Sequence, residues 1–573
     1  MAKKKSRNKL TVIDFFCGAG GFSEGFRQQG YEIVLGVDFW QPAISTYNHN
    51  FNKELKTKNV LDFYDSLDEI EKLPNSDVII GSPPCVSFSS SNKSGKADKE
   101  YGLKLTESFL RIIAVKKHQP KSKLKAWFME NVENSKKYLK EYYTFSDLNL
   151  ASWAKNMNIN PNQIAIQIEG NNHVINSANY GSFQSRKRLI TGEIIKKGKF
   201  IVPKINFSNN TEDMLPNFKS IGMLLKNFPS PYEKFSERQV KDPSYDILIP
   251  LNEITDHFYD TGVYESDWDN SKYLKTNHPY MGKMSFPEDI NKPSRTITAT
   301  KIANSREAII YKCELNRIGN GQYRTPTVRE AAIIMGFPIT YQFIGSENTK
   351  WKLVGNAVCP SVSRALAKTL KEVLFLKSES KLTISKKPKL EGVLSLNTFS
   401  IKTFDKPPIK NKGSRFRRHP FKSGNMTIAL SNYDIEKNEK TIGKWKSTVF
   451  YGTGEGFGIS KFKEGDYKKL EPTIKKHFDD GEKFIAIINN GFSEKIADKV
   501  LMQKMYEEHK SIGNFLEPTK LINEVASIVE KFDSKNEMYE QSGVKFFEKD
   551  IVPKKQLYAL YAINKIITTA NNK

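Results

Sequence analysis

The chain has 573 residues, 38% hydrophobic, 27% charged and 12% aromatic, with a formal net charge of +25. It is too long for one compact core, so two or three domains are expected, and 36 Phe with 24 Tyr exclude disorder throughout. A start of MAKKKSRNKL running into TVIDFFCGAGG, no long apolar run, and only four cysteines (17, 85, 313 and 359) exclude a signal-peptide core, a helical membrane protein, a disulfide scaffold and a zinc ribbon. The cysteine usage fits a reducing cytosol. The positive excess favours polyanionic partners, of which nucleic acid is the commonest.

In chain order, the first 130 residues have the rhythm of a parallel α/β sheet. Thr11–Phe16, Glu32–Val37, Asp77–Ile80 and Ala126–Met129 read as buried strands, with helices over Gly21–Gln29 and Leu103–Lys117. Ser182–Leu189 reads as a compact basic turn, and residues 200–290 are irregular and rich in Pro, Asn and Tyr. Thr327 and Glu330 form a capping-box pattern for a helix through Ala331, Ile334 and Met335, stopped by Gly336 and Pro338. A second helix starts near Pro360 with Val362, Ala365, Leu366 and Leu370 on one face. Residues 376–425 hold 13 Lys+Arg against 3 acids with little periodicity, as in a linker or basic arm, and residues 426–573 should fold separately.

Four motifs fall at strand ends. In Asp14-Phe15-Phe16-Cys17-Gly18-Ala19-Gly20-Gly21, a glycine cluster after a strand lets the backbone approach a nucleotide-like ligand. Asp38 follows Gly18 by 20 residues, where a carboxylate can meet ribose hydroxyls. The third glycine of the dinucleotide fingerprint is missing, which favours an adenosine without phosphates over a nicotinamide dinucleotide. Gly81-Ser82-Pro83-Pro84-Cys85 is a stiff loop presenting one thiol at the sheet edge, a nucleophile if cations or donors favour its thiolate. Glu130-Asn131-Val132 follows apolar Trp127-Phe128-Met129, which should keep Glu130 protonated near neutral pH. Gln184-Ser185-Arg186-Lys187-Arg188 supplies three cations suited to phosphate and carbonyl contacts.

With these motifs in one crevice, the sequence resembles the DNA cytosine-5 methyltransferases of bacterial restriction-modification systems. The matching pieces are DFFCGAGGFSEGF, the acid of GVDFW, GSPPCVSFS, ENVEN, QSRKR, TVREAAIIMGFP and KLVGNAVCPSVSRALA, covering about residues 10–375. The resemblance implies an α/β, Rossmann-like, S-adenosylmethionine-dependent domain over 1–195 and 326–375. It also implies an irregular target-recognition domain over 196–325; the basic linker 376–425 and an α or α+β accessory domain over 426–573 would follow. S-adenosylmethionine, leaving as S-adenosylhomocysteine, would bind at Phe16, Cys17, Gly18, Ala19, Gly20, Gly21, Asp38, Asp62, Pro83, Asn356 and Val358, with no metal required. Asp62 is the loosest match, since the family's preceding glycine is absent. Cys85 would add to C6 of a flipped-out cytosine while Glu130 donates to N3, with Arg186 and Arg188 holding the base or its phosphates.

The resemblance further implies a cytoplasmic, bacterial monomer acting on double-stranded DNA, with a cognate restriction endonuclease acting separately and no membrane contact. A transfer-RNA methyltransferase and a catalytically silent DNA-binding relative are the alternatives. In the recognition stretch, Arg238, Tyr245, Tyr259, Trp268, Tyr273 and Lys275 are candidates for groove reading and phosphate clamping, with a Tyr-rich core as the competing reading. For residues 426–573 a helical accessory module is expected over a fused nuclease, to which only the common triplet Asp466-Tyr467-Lys468 points.

Overall fold

The computed structural model describes residues 9–84, 99–233, 238–254, 256–277, 283–377, 404, 418–423, 426–434, 439–440, 445–451, 459–460, 467–508, 510–535, 537–541, 544–547 and 550–572. The chain divides into two compact units, whose described residues fall within 9–377 and within 404–572.

The first unit is organised by a six-stranded sheet. β1 (Thr11–Phe15) leads through the glycine turn to α1 (Gly21–Gln28), β2 (Glu32–Val37) and α2 (Gln41–Phe51). Two short helices, α3 (Asp62–Asp65) and α4 (Leu67–Glu71), precede β3 (Val78–Gly81), and α5 (Lys99–His118) crosses to β4 (Ala126–Asn131). The near-continuous apolar runs of these strands suit a sheet covered on both faces, and β2-β1-β3-β4 are indeed mutually parallel. β5 (Tyr142–Thr144), α6 (Ala151–Asn156) and β6 (Ile164–Gln167) form a side hairpin.

β7 (Asn172–Asn176) and β8 (Lys187–Ile194) complete the sheet in antiparallel fashion. Ser182–Leu189, expected as a turn, therefore opens a strand: the basic head of KRLITGEI is followed by six buried residues that pair with β4. The reversal matters for the site. Asn131 lies opposite Leu189 and Glu130 opposite Ile190, so β8 starts at the edge where the parallel strands end.

Beyond β8, short elements alternate with long irregular stretches, as the sequence suggested. They are α7 (Ile221–Asn227), the hairpin β9 (Gln239–Asp242) with β10 (Ile247–Pro250), β11 (Gly262–Val263), α8 (Glu265–Thr276), β12 (Tyr311–Lys312) and β13 (Tyr323–Arg324). This excursion closes on itself: Ser185 N–H donates to Ser294 O (2.9 Å) and Ser294 N–H to Phe183 O (2.7 Å). α9 (Val328–Met335) starts with the full reciprocal capping box of Thr327 and Glu330 and ends at Gly336, with φ 93°. α10 (Glu347–Asn356) and α11 (Pro360–Val373) follow, and α11 crosses α1 so closely that a Cβ on Gly25 would strike the backbone of Pro360 and Arg364.

The second unit is α+β. An antiparallel sheet runs β14-β15-β18-β19, from β14 (Arg418–Ser423), β15 (Met426–Ser431), β18 (Lys446–Tyr451) and β19 (Ile459–Ser460), with a minor hairpin of β16 (Tyr433–Asp434) and β17 (Glu439–Lys440). α12 (Tyr467–His477), α13 (Gly481–Ile487), α14 (Lys499–Glu508), α15 (Pro518–Phe532), the hairpin β20 (Met538–Glu540) with β21 (Ile551–Pro553), and α16 (Lys554–Asn572) complete it. Ile428, Trp445, Val449, Leu470, Phe484, Val525 and Leu560 share one core. The ordered sheet begins inside the stretch expected as a linker. RHPFKS, polar and carrying a proline, has the composition of an edge strand, which the apolar pattern does not reveal. Asp466 of the D-x-K triplet lies outside the described residues, as do Arg415 and Arg417.

Candidate functional site

The carboxyl ends of β1 to β4 and the amino end of β8 meet along one edge of the sheet. After β1, Phe16 (φ 54°), Gly18 (φ 51°) and Gly20 (φ 89°) turn the chain through left-handed conformations before α1 begins. Gly20 is hemmed in by Tyr47, Phe51 and Tyr341, and the Tyr341 hydroxyl donates to the carbonyl of buried Ala19. A Cβ on Gly21 would strike the carbonyl of Val358. Gly18 differs: a Cβ there would meet nothing within 4 Å among the described residues. Cys17 is buried and its N–H donates to Val37 O (3.1 Å), so only its backbone serves the turn.

Asp38 closes the turn from β2. Its Oδ2 accepts from Gly18 N–H (2.9 Å) and its Oδ1 from Trp40 N–H (2.9 Å). Burial raises its pKa, opposed by the hydrogen bonds from Trp40, Gly18 and Phe39. The next ring, Phe39, is 69% exposed. A glycine turn, a carboxylate with lone pairs to spare and an exposed aromatic face together suit a nucleoside with free hydroxyls and a flat base.

The exit from β3 is laced to the same turn. Ser82 N–H donates to Phe15 O (3.2 Å) and its hydroxyl to Phe16 O (3.1 Å). Pro83 O accepts from Asn131 Nδ2 (3.4 Å), which ties this loop to the end of β4. Cys85 itself lies outside the described residues. Glu130 is the penultimate residue of β4 rather than part of the loop beyond it, and it is almost fully buried. Burial pushes its pKa up, partly offset by Arg188 and Arg186. Arg188 Nε lies 3.2 Å from Glu130 Oε1.

Arg186 is placed differently from Arg188. Its NH1 donates to Ile297 O (3.1 Å) and its NH2 to Gly355 O (3.3 Å) and Ala357 O (3.4 Å). A buried guanidinium engaged by three carbonyls ties the chain segments around Ile297 and Gly355 to the start of β8. Asn356 is exposed at the end of α10, and buried Val358 backs Gly21. Asp62 is exposed at the start of α3, one residue before Phe63, whose ring packs edge-on against Phe15 (5.5 Å).

Sequence reasoning missed Phe39, whose signal was its position directly after the acid, and Asp14. Asp14 is wholly buried; its Oδ2 accepts from Ser23 Oγ (2.7 Å), while Oδ1 has no hydrogen-bond partner among the described residues. Burial raises its pKa to about 8, opposed by hydrogen bonds from Ser23. A polar residue inside an apolar strand was the available signal.

The recognition-stretch candidates are mostly structural. Tyr245 is buried with its hydroxyl donating to Glu24 on α1, beside the Arg27 guanidinium (5.7 Å from ring centre). Tyr259 accepts from Val328 N–H (2.9 Å), and Trp268 Nε1 donates to Gly319 O (3.0 Å). Lys275 is fully buried, donating to Glu288 Oε1 (3.0 Å) and Ala308 O (2.6 Å). Burial lowers its pKa to about 8, partly offset by Glu288. These corrections share a cause: the polar end of each side chain is satisfied inside the fold, around an apolar core that includes Ile221, Leu224, Val240, Ile249 and Leu251. Tyr273 is half-buried on α8, whereas Arg238 is exposed and paired with Glu233 (2.7 Å).

A doubly laced glycine turn, an acid on the next strand and a buried carboxyl at the end of β4 define a Rossmann-like methyltransferase domain. Residues 10–372 match the C-5 cytosine-specific DNA methylase family model, and the chain belongs to that family. It is a DNA cytosine-5 methyltransferase. Among its relatives, a type II methyltransferase of Arthrospira platensis, M.AplI, is 27% identical over 376 residues, 64% of this chain and 87% of that protein. M.HgiDI, a type II methyltransferase of Herpetosiphon aurantiacus, is 27% identical over 64% of this chain and 95% of its own length. A solved methyltransferase of Entamoeba histolytica aligns over 64% of this chain and 99% of its own at 19% identity, with a TM-score of 0.38. Among the described residues no helix is long and apolar enough to cross a membrane.

Proposed function

We propose that this chain is the modification enzyme of a restriction-modification system, methylating C5 of a cytosine flipped out of duplex DNA through a transient bond between Cys85 and C6. The observation that supports this most directly is the pairing of buried Glu130 with Arg188 (3.2 Å) at the edge reached by the Pro83–Pro84 loop. Phe16 to Gly21, Asp38 and Phe39 would hold S-adenosylmethionine, with Asp62, Pro83, Asn356 and Val358 around them. When bound, the cofactor supplies an electrophilic methyl group on sulfur.

Cytosine C5 is a poor nucleophile, and the protein's task is to enrich it. The Cys85 thiolate adds to C6 while the raised pKa of Glu130 keeps a proton available for N3, where charge develops. Arg188 fixes the Glu130 carboxyl and faces the base, while Arg186 positions this segment from behind. Once C5 is substituted, loss of its proton and expulsion of Cys85 restore the aromatic ring. A base in the stack cannot offer C6 to a thiol, so extrusion precedes chemistry. The relatives' description as type II methyltransferases supports a separately acting endonuclease, and we place the enzyme in the cytoplasm as a monomer, with residues 196–325 as the reading region.

Bisulfite sequencing of DNA from cells expressing the protein tests the reading. A single sequence context carrying 5-methylcytosine is expected. Unmodified DNA, with RNA methylated instead, would overturn it in favour of the transfer-RNA alternative.

A further inference from the structure

We propose that Tyr341 is a positioning residue for S-adenosylmethionine, holding the glycine turn at the height the cofactor needs. The inference rests on the reading above, in which Phe16 to Gly21 hold the cofactor. Its starting point is the segment between α9 and α10. Tyr341 is buried there, with its ring against Phe337 (4.8 Å between ring centres) and Phe343 (5.5 Å), which leaves one polar atom to satisfy. That hydroxyl donates to the carbonyl of Ala19, 322 residues away in sequence. A Cβ on Gly20 would come within 2.7 Å of it, so turn and hydroxyl are in close contact.

The segment that carries Tyr341 is itself held by two helices. The Arg329 guanidinium on α9 donates to the carbonyls of Ile339 (3.0 Å) and Tyr341. From α2, Asn50 Nδ2 donates to Gln342 O (2.7 Å), while Gln342 N–H donates to Asn50 Oδ1 (3.0 Å) and Ile344 N–H to Thr46 Oγ1 (3.1 Å). The same α2 supplies Tyr47 and Phe51, the two other rings that hem in Gly20. It begins three residues after Asp38, whose carboxylate accepts from Gly18 N–H (2.9 Å). Neighbouring residues of the turn are thus fixed by different parts of the chain, Gly18 by the acid after β2 and Ala19 by Tyr341.

A turn built from left-handed residues has no helix or sheet ladder to hold it, and a buried carbonyl that loses its donor costs free energy until it finds another. Without the Tyr341 hydroxyl the turn is free to leave its position, and the cofactor must then reorder it on binding. Once reordered, the turn presents the cofactor as before. The loss therefore falls on affinity rather than on the chemical step.

The test is Tyr341→Phe, which keeps the ring packing and removes only the hydroxyl. Calorimetric titration of the DNA-free protein should show S-adenosylmethionine binding weakened about three- to tenfold, with S-adenosylhomocysteine weakened equally. KM for the cofactor should rise by the same factor while kcat at saturation stays within about twofold. Before any cofactor is added, amide hydrogen exchange across residues 16–21 should quicken. Tyr180→Phe serves as the control, since the Tyr180 hydroxyl donates to Pro203 O (3.0 Å) and not to the turn. It should lower the melting temperature and leave cofactor affinity unchanged. Unaltered cofactor affinity or amide exchange in Tyr341→Phe, a fall in kcat larger than the rise in KM, or an equal loss of affinity in Tyr180→Phe would overturn the proposal. Failure of the underlying reading would look different, because the wild-type protein itself would then bind no S-adenosylmethionine.

Discussion

The edge of the central sheet and the excursion over residues 196–325 handle charged and aromatic side chains in opposite ways. At the edge, Gly18, Asp38 and Phe39 sit just after strands end, tied by backbone bonds, with the Phe39 ring turned toward solvent. In the excursion, Tyr245, Lys275, Arg295 and Arg324 are drawn inward and paired with Glu24, Glu288 and Glu330. The first region can present its chemistry because an apolar sheet already stabilises it. The second has only two- and three-stranded pieces of sheet, and paired polar residues are packed alongside Ile221, Leu224, Val240, Ile249 and Leu251. A basic or aromatic residue therefore means something different in each, and its type alone does not say which.

The largest effect should come from the edge. Cys85→Ser is expected to abolish methylation while leaving cofactor and DNA binding intact, since a serine alkoxide is not available at neutral pH. DNA with 5-fluorocytosine at the target should trap a covalent adduct with the wild-type protein, visible as a mass shift. Near-normal turnover by the serine variant would remove the thiol from the mechanism. Next in size, Glu130→Gln should slow transfer by about 10²–10⁴ with little change in DNA affinity. The sign of its pH dependence follows from the raised pKa: the protonated form is present below the folded value and lost as pH rises through it. The wild-type rate should therefore fall on the alkaline side, and the glutamine variant should lack that limb.

The excursion should answer in stability instead. Lys275→Met removes one of the two cations paired with buried Glu288, Arg295 being the other, so the cost should fall below the about 3–5 kcal/mol of a buried pair broken outright. A lowered melting temperature is expected, with the methylated sequence context unchanged in whatever protein remains folded. A changed context with unaltered stability would make Lys275 a reader of DNA and erase the contrast between the regions. The smallest effect belongs to Tyr245→Phe, which strips one buried hydrogen bond from Glu24 at about 1–3 kcal/mol. Thermal unfolding should register it, and DNA affinity at several salt concentrations should not.

How far the sequence could be read follows the same division. β2 matches its expected span, Glu32–Val37, and the other three parallel strands agree within one or two residues, because continuous apolar runs between glycine turns leave few alternatives. The capping box at Thr327 was equally legible, being a local pattern with a local cause. Glu130 and Asp38 could be placed at strand ends because those ends are visible in the pattern. The strand hidden in KRLITGEI was missed because its cations obscured an apolar tail, and β14 because an edge strand need not be apolar. Arg186 illustrates a deeper limit: its partners, Ile297, Gly355 and Ala357, lie more than a hundred residues away. Motif spacing says that two arginines are present; only the tertiary fold decides which faces outward.

The bonds between Phe183, Ser185 and Ser294 also bear on how this chain tolerates change in length. A segment whose ends are already pinned side by side is a closed loop, and doubling the length of such a loop costs only about 0.6 kcal/mol in closure entropy. Insertions or deletions beyond β8, between Ile194 and Ser294, would leave Arg188, Glu130 and the glycine turn in place, because every strand of the central sheet lies outside that stretch. The scaffold is insulated from the part that must vary.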